Sequence, residues 1–360
     1  MGGYDVYNGN LDAAERSGAQ WPTNEPLSII SAMAAATKSI GFGVTVSTTY
    51  EQPYHLARRL STVDHLSKGR LGWNIVTSYL NSAARNLINS DQIAHDERYA
   101  QADEYLKVMY KLLESSWRDD AVQLNRAKGI YTAPELVREI NHKGKYFTVP
   151  GPHFCQPSPQ RTPLLLQAGT SKQGKEFAAQ NAEGIFVSAF GPQVVAANIA
   201  EIRKTAREKF GRDPRSIKVL ALVTVVLGET EEEAQQKLAD YRQYASIEGA
   251  LALFCGWTGI DLGKYADDEE LREVESNAVR SVGRPYDFGT PTILTIDRST
   301  VQAYARFSPG TSKWTKHTVA QHVSIGGNGP LLVGTASQVA DGLETWVREA
   351  DVDGFNLVSD

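Results

Sequence analysis

The residues best suited to chemistry follow an apolar run near the middle of the chain. The run "PLLLQAG" (163–169) leads into Gly169, Thr170 and Ser171, and a helical pattern begins at once. Free backbone N–H groups, two hydroxyls and the positive end of a helix together form a binding site for a phosphate group. A serine that only caps a short strand-to-helix loop explains the same residues equally well. Both interpretations stay open from this stretch alone.

Two further stretches bring hydroxyl groups to the same kind of position. The run "LGWNIV" (71–76) closes on Thr77 and Ser78 and then turns polar. The long helical pattern "HDERYAQADEY" (95–105) carries Tyr99 in its first turn, where the phenol can reach a ligand at the strand ends. Asp96 and Glu97 in the same turn suit the positive end of the helix dipole, which is their plain structural interpretation. The three stretches predict a ligand site at the ends of buried strands.

The sequence lacks the motifs of several well-known nucleotide-binding, metal-binding and hydrolase sites. It has no Gly-Lys-Ser/Thr phosphate loop, no G-x-G-x-x-G fingerprint, no H-x-x-x-H or H-E-x-x-H spacing and no G-x-S-x-G elbow. His153 and Cys155 lie among prolines and are typical of a loop, so no metal is expected. No pair of carboxylates stands out at a strand end. A phosphate-bearing ligand with few proton-transfer groups favours a cofactor that supplies its own chemistry.

Composition narrows the class of protein. The 360 residues carry a net charge of −5, which argues against a nucleic-acid surface or an anionic membrane surface as partner. The two cysteines, Cys155 and Cys255, are typical of a reduced cytoplasmic protein rather than of a disulfide framework. No run is long and apolar enough for a membrane span, and no signal peptide is indicated. We therefore expect a cytoplasmic globular protein.

The elements that would position these residues alternate between strand and helix. Six apolar runs are typical of buried parallel strands, at 40–47, 71–76, 163–169, 184–190, 217–228 and 354–360. Helical patterns fall between or before them, at 27–37, 55–67, 96–117, 171–182, 194–210, 231–246 and 337–350. The alternation predicts an α/β fold with a parallel sheet. Six strands fit either an open doubly wound sheet or a barrel that lacks its beginning and end.

Several long motifs resemble one family of enzymes. They are "STTYEQPYHLARRLSTVDHLSKGRLGWNIVTS", "AARN", "HDERYAQADEYL", "GKYFTVPGPH", "PSPQRTPLLLQAGTSKQGKEFAA" and "DGFNLV". In this order they resemble the bacterial-luciferase-like flavin monooxygenases, within the branch of the nitrilotriacetate, dibenzothiophene sulfone and long-chain alkane monooxygenases. The resemblance implies a (β/α)8 TIM-like barrel of the luciferase-like type that binds reduced FMN at the carboxyl ends of its strands.

The resemblance also implies the reaction and its partners. A separate NAD(P)H:flavin reductase would supply FMNH2, and O2 would form a C4a-(hydro)peroxyflavin that inserts one oxygen atom into a small organic substrate. That substrate would be an alkane, an organosulfur compound or an aminocarboxylate. A homo-oligomer, dimer or tetramer, is expected.

The resemblance assigns roles to individual residues. The flavin-binding positions are Asn74, Ser78, Tyr79, Tyr99, Ala168, Gly169, Thr170 and Ser171. Tyr4, Gln20 and Tyr79 match pocket positions near the reacting group and are the candidate catalytic residues. Packing of a loop explains Tyr4 and Gln20 equally well. Tyr79 stands where the alkane enzyme has a histidine, so that enzyme's substrate does not transfer directly.

Two departures from the family pattern shape the expected domain organisation. The family has about sixty residues before the position of Met1, with the first two strands, and a final helix after Asp360. We therefore expect a single barrel domain over 1–360 that is truncated at both ends. It would carry a rim insertion at about 119–160 and an atypical inserted segment at about 282–302, or a surface loop there.

Three other functions remain as alternatives. The first is a non-catalytic truncated remnant of the family. The second is an F420-dependent oxidoreductase on the same barrel, against which "WNIVTS" and "ARN" count. A sugar-active barrel is the most distant, because it needs a pair of carboxylates that the sequence does not show.

Overall fold

The computed structural model describes residues 7–169, 171–188, 191–258, 260–269, 271 and 315–358. Tyr4, Thr170 and the segment 282–302 lie outside the described residues, so the expectations for them stay predictions.

The described residues form helices and strands in alternation. The helices are α1 (Asp12–Ser17), α2 (Pro26–Ala36), α3 (Pro53–Ser67), α4 (Asn81–Ile88), α5 (His95–Tyr110), α6 (Lys172–Asn181), α7 (Pro192–Phe210), α8 (Glu231–Tyr244), α9 (Ile247–Thr258), α10 (Lys316–Gly326) and α11 (Ala336–Ala350). The strands are β1 (Phe42–Ser47), β2 (Leu71–Val76), β3 (Val122–Asn125), β4 (Ile130–Thr132), β5 (His142–Lys143), β6 (Thr148–Val149), β7 (Leu164–Gln167), β8 (Gly184–Val187), β9 (Lys218–Leu227), β10 (Leu331–Gly334) and β11 (Gly354–Val358). Each of the six predicted strands is present, as β1, β2, β7, β8, β9 and β11.

The chain divides into two compact units. The first unit comprises Asn24–Ser78 and His95–Gly184, and the second comprises Met1–Thr23, Tyr79–Ala94 and Ile185–Asp360. The prediction of a single domain over 1–360 is not tested by this division and stays a prediction.

In the first unit, β1, β2 and β7 are neighbouring parallel strands with one apolar face. Val44, Trp73 and Leu165 lie side by side in the register and are 1%, 1% and 3% exposed. They belong to a core shared with residues of α3 and α5, in which the ring of Trp73 lies 6.1 Å from that of Tyr105. Continuous apolar runs give this arrangement because helices cover the strands.

The opposite face of these three strands carries two polar residues beside a leucine. Thr45, Asn74 and Leu166 are its register partners, and Thr45 is exposed. A methyl group at Gly43 or Gly72 would lie 3.2 or 3.3 Å from the Leu166 side chain, so little space is left for larger residues there. The two faces of the sheet therefore differ in chemistry, with one face sealed by helices and the other open to polar contacts.

The stretch 119–160 is folded into two short hairpins, β3–β4 and β5–β6. Glu104 of α5 holds the second hairpin, because its carboxylate accepts hydrogen bonds from the backbone N–H groups of Lys145, Tyr146 and Phe147 and from His142. Burial alone would raise the pKa of Glu104, but these donors lower it below its usual value. The carboxylate therefore acts as a charged anchor for the hairpin.

His153 ties the end of the same stretch to α3. Its Nε2 lies 2.9 Å from the Ser61 hydroxyl, and its backbone carbonyl accepts a hydrogen bond from Trp117 Nε1 at 2.8 Å. The side chain is buried, and burial lowers the pKa of His153 from its ordinary value of 6.5 to about 4. The folded structure therefore favours the neutral form of the His153 imidazole.

Replacement of His153 by glutamine is expected to flatten the acid dependence of stability. Between pH 6.5 and 4, His153 is protonated in the unfolded chain but neutral in the folded chain. The free energy of unfolding of the wild type therefore falls as pH falls through that window. The full contribution is at most about 3 kcal/mol. Urea unfolding at several pH values measures it, with His55→Gln on the exposed side of α3 as control. Identical pH slopes in His153→Gln and wild type would contradict the assignment.

The second unit is organised around β9. Strands β10 and β11 both pair with it in parallel, with Leu331 opposite Thr224 and Gly354 opposite Leu220. A separate core links α9 to α10 through buried residues that include Phe254 and Val319. Cys255 belongs to this core, and burial raises the pKa of its thiol to about 12, so it is an inert packing residue.

Parallel strands with intervening helices confirm the predicted α/β class. Closure into an eight-stranded barrel and a rim position for 119–160 remain predictions. In the part of the chain that the structure describes, no helix is both long enough and apolar enough to cross a membrane.

Candidate active site

Hydroxyl groups gather where β1 and β2 end. The Ser78 hydroxyl donates to Ser47 Oγ at 3.0 Å, and the Thr49 hydroxyl donates to the carbonyl of Thr77 at 2.7 Å. Parallel strands bring their carboxyl ends to one edge of a sheet, and ligands of α/β proteins bind there. These contacts hold the two strand ends together and present their hydroxyls at that edge.

Ser78 adopts an unusual backbone conformation. Its φ is +57°, in the left-handed region that favours glycine. A residue with a side chain costs about 1 kcal/mol more than glycine in this conformation. The Ser78 hydroxyl is therefore held at the strand end against a backbone cost.

The turn after β7 is the next part of the edge. Ser171 caps α6, since its Oγ accepts a hydrogen bond from the N–H of Gly174 at 3.0 Å. The hydroxyl proton of Ser171 remains available to a ligand, and the N-terminus of α6 adds a positive dipole end. The interpretation of Ser171 as a helix cap is confirmed. Its role in ligand binding stays a prediction, which the cap permits because a capping serine can still donate outward.

Tyr99 reaches this turn from the first turn of α5. A methyl group at Gly174 would lie 2.9 Å from the Tyr99 hydroxyl, and one at Gly169 would lie 3.1 Å from it. The ring is held between Phe177 and His95, with centroid distances of 5.9 and 5.1 Å. The structure therefore brings together three predicted residues, Tyr99, Gly169 and Ser171.

A positive charge is buried in the first turn of α5. Arg98 precedes Tyr99 on α5 and is 2% exposed. Burial lowers the pKa of its guanidinium, and its charge interacts with Tyr99 and Asp96. An arginine remains charged under these conditions, so its field favours an anion near the start of α5. Arg98 lies inside the quoted "HDERY" motif, but its type and spacing alone do not mark it as a site residue.

Asn74 is fixed on the polar face of β2. Its Nδ2 donates to Thr45 Oγ1 at 2.9 Å, and its Oδ1 is buried with no hydrogen-bond partner among the described residues. A buried acceptor without a partner costs about 1–3 kcal/mol. The amide therefore suits a ligand that brings its own donor, as the ring of a flavin does. Thr45, which orients it, was missed because cross-strand register is not readable from the sequence.

The other predicted residues are distributed as follows. Ala168 precedes Gly169 in the turn, whereas Gln20 and Tyr79 belong to the second unit. The Tyr79 side chain is 41% exposed, and Gln20 has a left-handed φ of +56°. Their catalytic roles are not tested by this geometry. In the described part of the chain, no group of three or more His, Cys, Asp or Glu side chains is placed to hold a metal ion.

Comparison with known proteins gives the family. The model of the luciferase-like monooxygenases matches residues 11–354. Dimethyl-sulfide monooxygenase from Hyphomicrobium sulfonivorans is 49% identical over 99% of this chain and 70% of its own length. Long-chain alkane monooxygenase from Geobacillus thermodenitrificans is 45% identical over 99% of this chain and 72% of its own.

A solved structure and a third relative extend the match. Riboflavin lyase, solved with a modified FMN and riboflavin, superposes with a TM-score of 0.81 at 33% identity, over 99% of this chain and 74% of its own. Nitrilotriacetate monooxygenase component A from Aminobacter aminovorans is 33% identical over 98% of this chain and 75% of its own.

These matches confirm the predicted branch and the predicted class of enzyme. They do not support the expected truncation of the barrel, since the two most similar of these relatives align with 99% of this chain. The chain belongs to the family of luciferase-like monooxygenases.

Proposed function

We propose that this chain is an FMNH2-dependent monooxygenase that transfers one oxygen atom from O2 to a small organic substrate. The observation that carries the proposal is the meeting of two hydroxyls, from Tyr99 and Ser171, around Gly174 at the start of α6. Two donors at a helix N-terminus, with no side chain between them, suit the phosphate of FMN.

The residues present fit the cofactor at both of its ends. The Ser171 hydroxyl and the Tyr99 hydroxyl would donate to phosphate oxygens, and the α6 dipole would stabilise the negative charge. Near the ring, Asn74 would offer a buried amide oxygen, and Thr45 orients the amide. Ser78, bonded to Ser47, would complete the edge between phosphate and ring.

The bound reduced flavin would supply the activation of oxygen. The chain itself would hold and shield the ring and orient the substrate. We assign the orientation of the reacting group to Tyr4, Gln20 and Tyr79, each of which has a polar side chain able to donate a hydrogen bond. Tyr79 would replace a histidine of the alkane enzyme, so its phenol would act as a neutral donor at neutral pH.

Two partners follow from this function. The sequence has no dinucleotide fingerprint, so a separate NAD(P)H:flavin reductase would deliver FMNH2. The relative named component A is one part of a system with more than one component, which supports this arrangement. The names of the first two relatives favour an organic sulfide or an alkane as the substrate class, ahead of an aminocarboxylate.

Replacement of Ser171 by alanine is expected to weaken FMN binding by about 1–3 kcal/mol, because a charged hydrogen bond to the phosphate is lost. Titration of the purified chain with FMN, followed by quenching of flavin fluorescence, measures the change. Tyr99→Phe should weaken binding in the same range. Equal FMN affinity in wild type and both variants would contradict the assignment of the phosphate site to this turn.

Thr230→Ala is the matched control for the loss of a helix cap. Thr230 caps α8 by accepting from the N–H of Glu233 at 3.2 Å, with the same geometry as Ser171 on α6. Its loss should cost about 1 kcal/mol of stability and leave FMN affinity unchanged. A drop in FMN affinity with Thr230→Ala would show that cap loss alone explains the effect of Ser171→Ala.

A further inference from the structure

Gln167, the last residue of β7, is buried beneath the turn that follows it. The side chain is 3% exposed, and its Oε1 has no hydrogen-bond partner among the described residues. A glutamine amide in a protein interior normally has its groups paired. Oε1 is an acceptor, so an anion could pair only with the Nε2 donor of the same amide. The position in an otherwise apolar run, between Leu166 and Ala168, makes a polar side chain there costly.

The amide nitrogen of Gln167 points to the same place as the Tyr99 hydroxyl. A methyl group at Gly169 would lie 2.5 Å from Gln167 Nε2 and 3.1 Å from Tyr99 Oη. Two polar groups from different elements thus lie close to the backbone of Gly169, in the space that a larger residue would need. Neither group has a hydrogen-bond partner in the described part of the chain.

The charge of the ligand determines which atom of the Gln167 amide should face the turn. Rotation of the amide by 180° would present its oxygen to the turn, and two oxygen atoms facing each other would repel. An anion at the turn therefore selects the orientation with Nε2 outward, where the N–H group donates. The Ser171 hydroxyl, the Tyr99 hydroxyl and the Gln167 amide would then form three donors around one anion.

We propose that Gln167 is a third phosphate-binding residue, which recognises the phosphate monoester of the flavin and not its ring. The inference rests on the proposed function, because FMN is the ligand it invokes. It adds a specificity: the chain should prefer FMN over riboflavin, which has the same ring without the phosphate, and Gln167 should contribute to that preference.

The test compares affinities for FMN and for riboflavin in the purified full chain. Wild type should bind FMN more tightly, and Gln167→Met, which keeps the length of the buried side chain, should reduce the FMN-to-riboflavin affinity ratio about tenfold. Gln167→Glu should reduce the ratio further, and increasingly as pH rises, because its carboxyl loses a proton and repels the phosphate. Riboflavin affinity itself should change little in either variant.

Gln180→Glu, at the exposed far end of α6, is the control for an added carboxylate and should leave the ratio unchanged. An unchanged ratio in both Gln167 variants would overturn the inference while leaving flavin binding intact. If Gln167→Glu does not fold, Gln167→Met decides alone. Wild type that binds FMN and riboflavin equally would refute the phosphate site, and wild type that binds neither would refute the proposed function.

Discussion

Replacement of Glu104 by alanine is expected to lower the free energy of unfolding by about 3–5 kcal/mol. The side chain is 13% exposed, and its removal leaves three backbone N–H groups, of Lys145, Tyr146 and Phe147, without their acceptor. Phe147 is 7% exposed, and a buried donor left unpaired costs about 1–3 kcal/mol. Urea unfolding measures the loss, and hydrogen exchange at residues 142–149 should show that the hairpin opens first.

Two variants define the cause of this effect. Glu104→Gln keeps one acceptor oxygen and removes the charge, so it should fall between wild type and alanine. Glu97→Ala is the surface control, because Glu97 also bonds Lys145 and Tyr146 but is 45% exposed. Exposed ion pairs contribute about 0–1 kcal/mol. Equal losses for Glu97→Ala and Glu104→Ala would contradict the role of burial.

The purified chain is expected to oxidise no NADH on its own, even with FMN and O2 present. No dinucleotide fingerprint occurs in the sequence, so the chain has no recognisable means of binding NADH. Addition of a flavin reductase should start oxygen transfer to an organic sulfide or an alkane. The decay of NADH absorbance and mass analysis of the product measure the two halves of the reaction.

A reductase-only reaction without this chain is the control, because free FMNH2 also consumes O2. Oxygenated product should appear only when both proteins are present. Steady NADH oxidation by the chain alone would refute the division of labour between two components. If no oxygenated product forms from sulfides or alkanes but product forms from an aminocarboxylate, the proposed substrate class is wrong. The supply of electrons by a separate reductase would still stand.

The sequence predicts the long elements of this fold well, for a physical reason. Strands β1, β2 and β9 are continuous apolar runs bounded by polar or glycine residues, so their type can be read locally. Helix α5 was predicted to run to Trp117, whereas its α-helical part ends at Tyr110 and a π-helical turn extends to Ser115. Boundaries of this kind depend on packing and are poorly encoded in periodicity.

Other elements were missed because their local pattern is weak. The four-residue strand β10 follows the glycine-rich stretch 326–329 and resembles part of a turn. Helix α9 has the sequence "IEGALALFCGWT" and is buried on nearly all sides, so it lacks the polar face that marks an amphipathic helix. Only the surrounding core identifies such a segment as a helix.

The proximity of some candidate residues was predicted from the sequence, whereas their roles stay predictions. Tyr99 and Ser171 could be found because a hydroxyl at a helix start after an apolar run is a local pattern. The positions of the Gln167 and Thr45 side chains could not be predicted, since register and side-chain direction are set by the assembled sheet.

The left-handed backbone of Ser78 bears on how this protein could be engineered. Glycine would relieve the backbone there and so tends to stabilise the fold, whereas every such change removes the hydroxyl that bonds Ser47. A screen for heat resistance would therefore favour glycine at this position, and a screen for turnover would favour serine under the flavin role proposed for Ser78. Thermostable variants selected without an activity assay should be sequenced at residue 78 first, because the two demands oppose each other at this one residue.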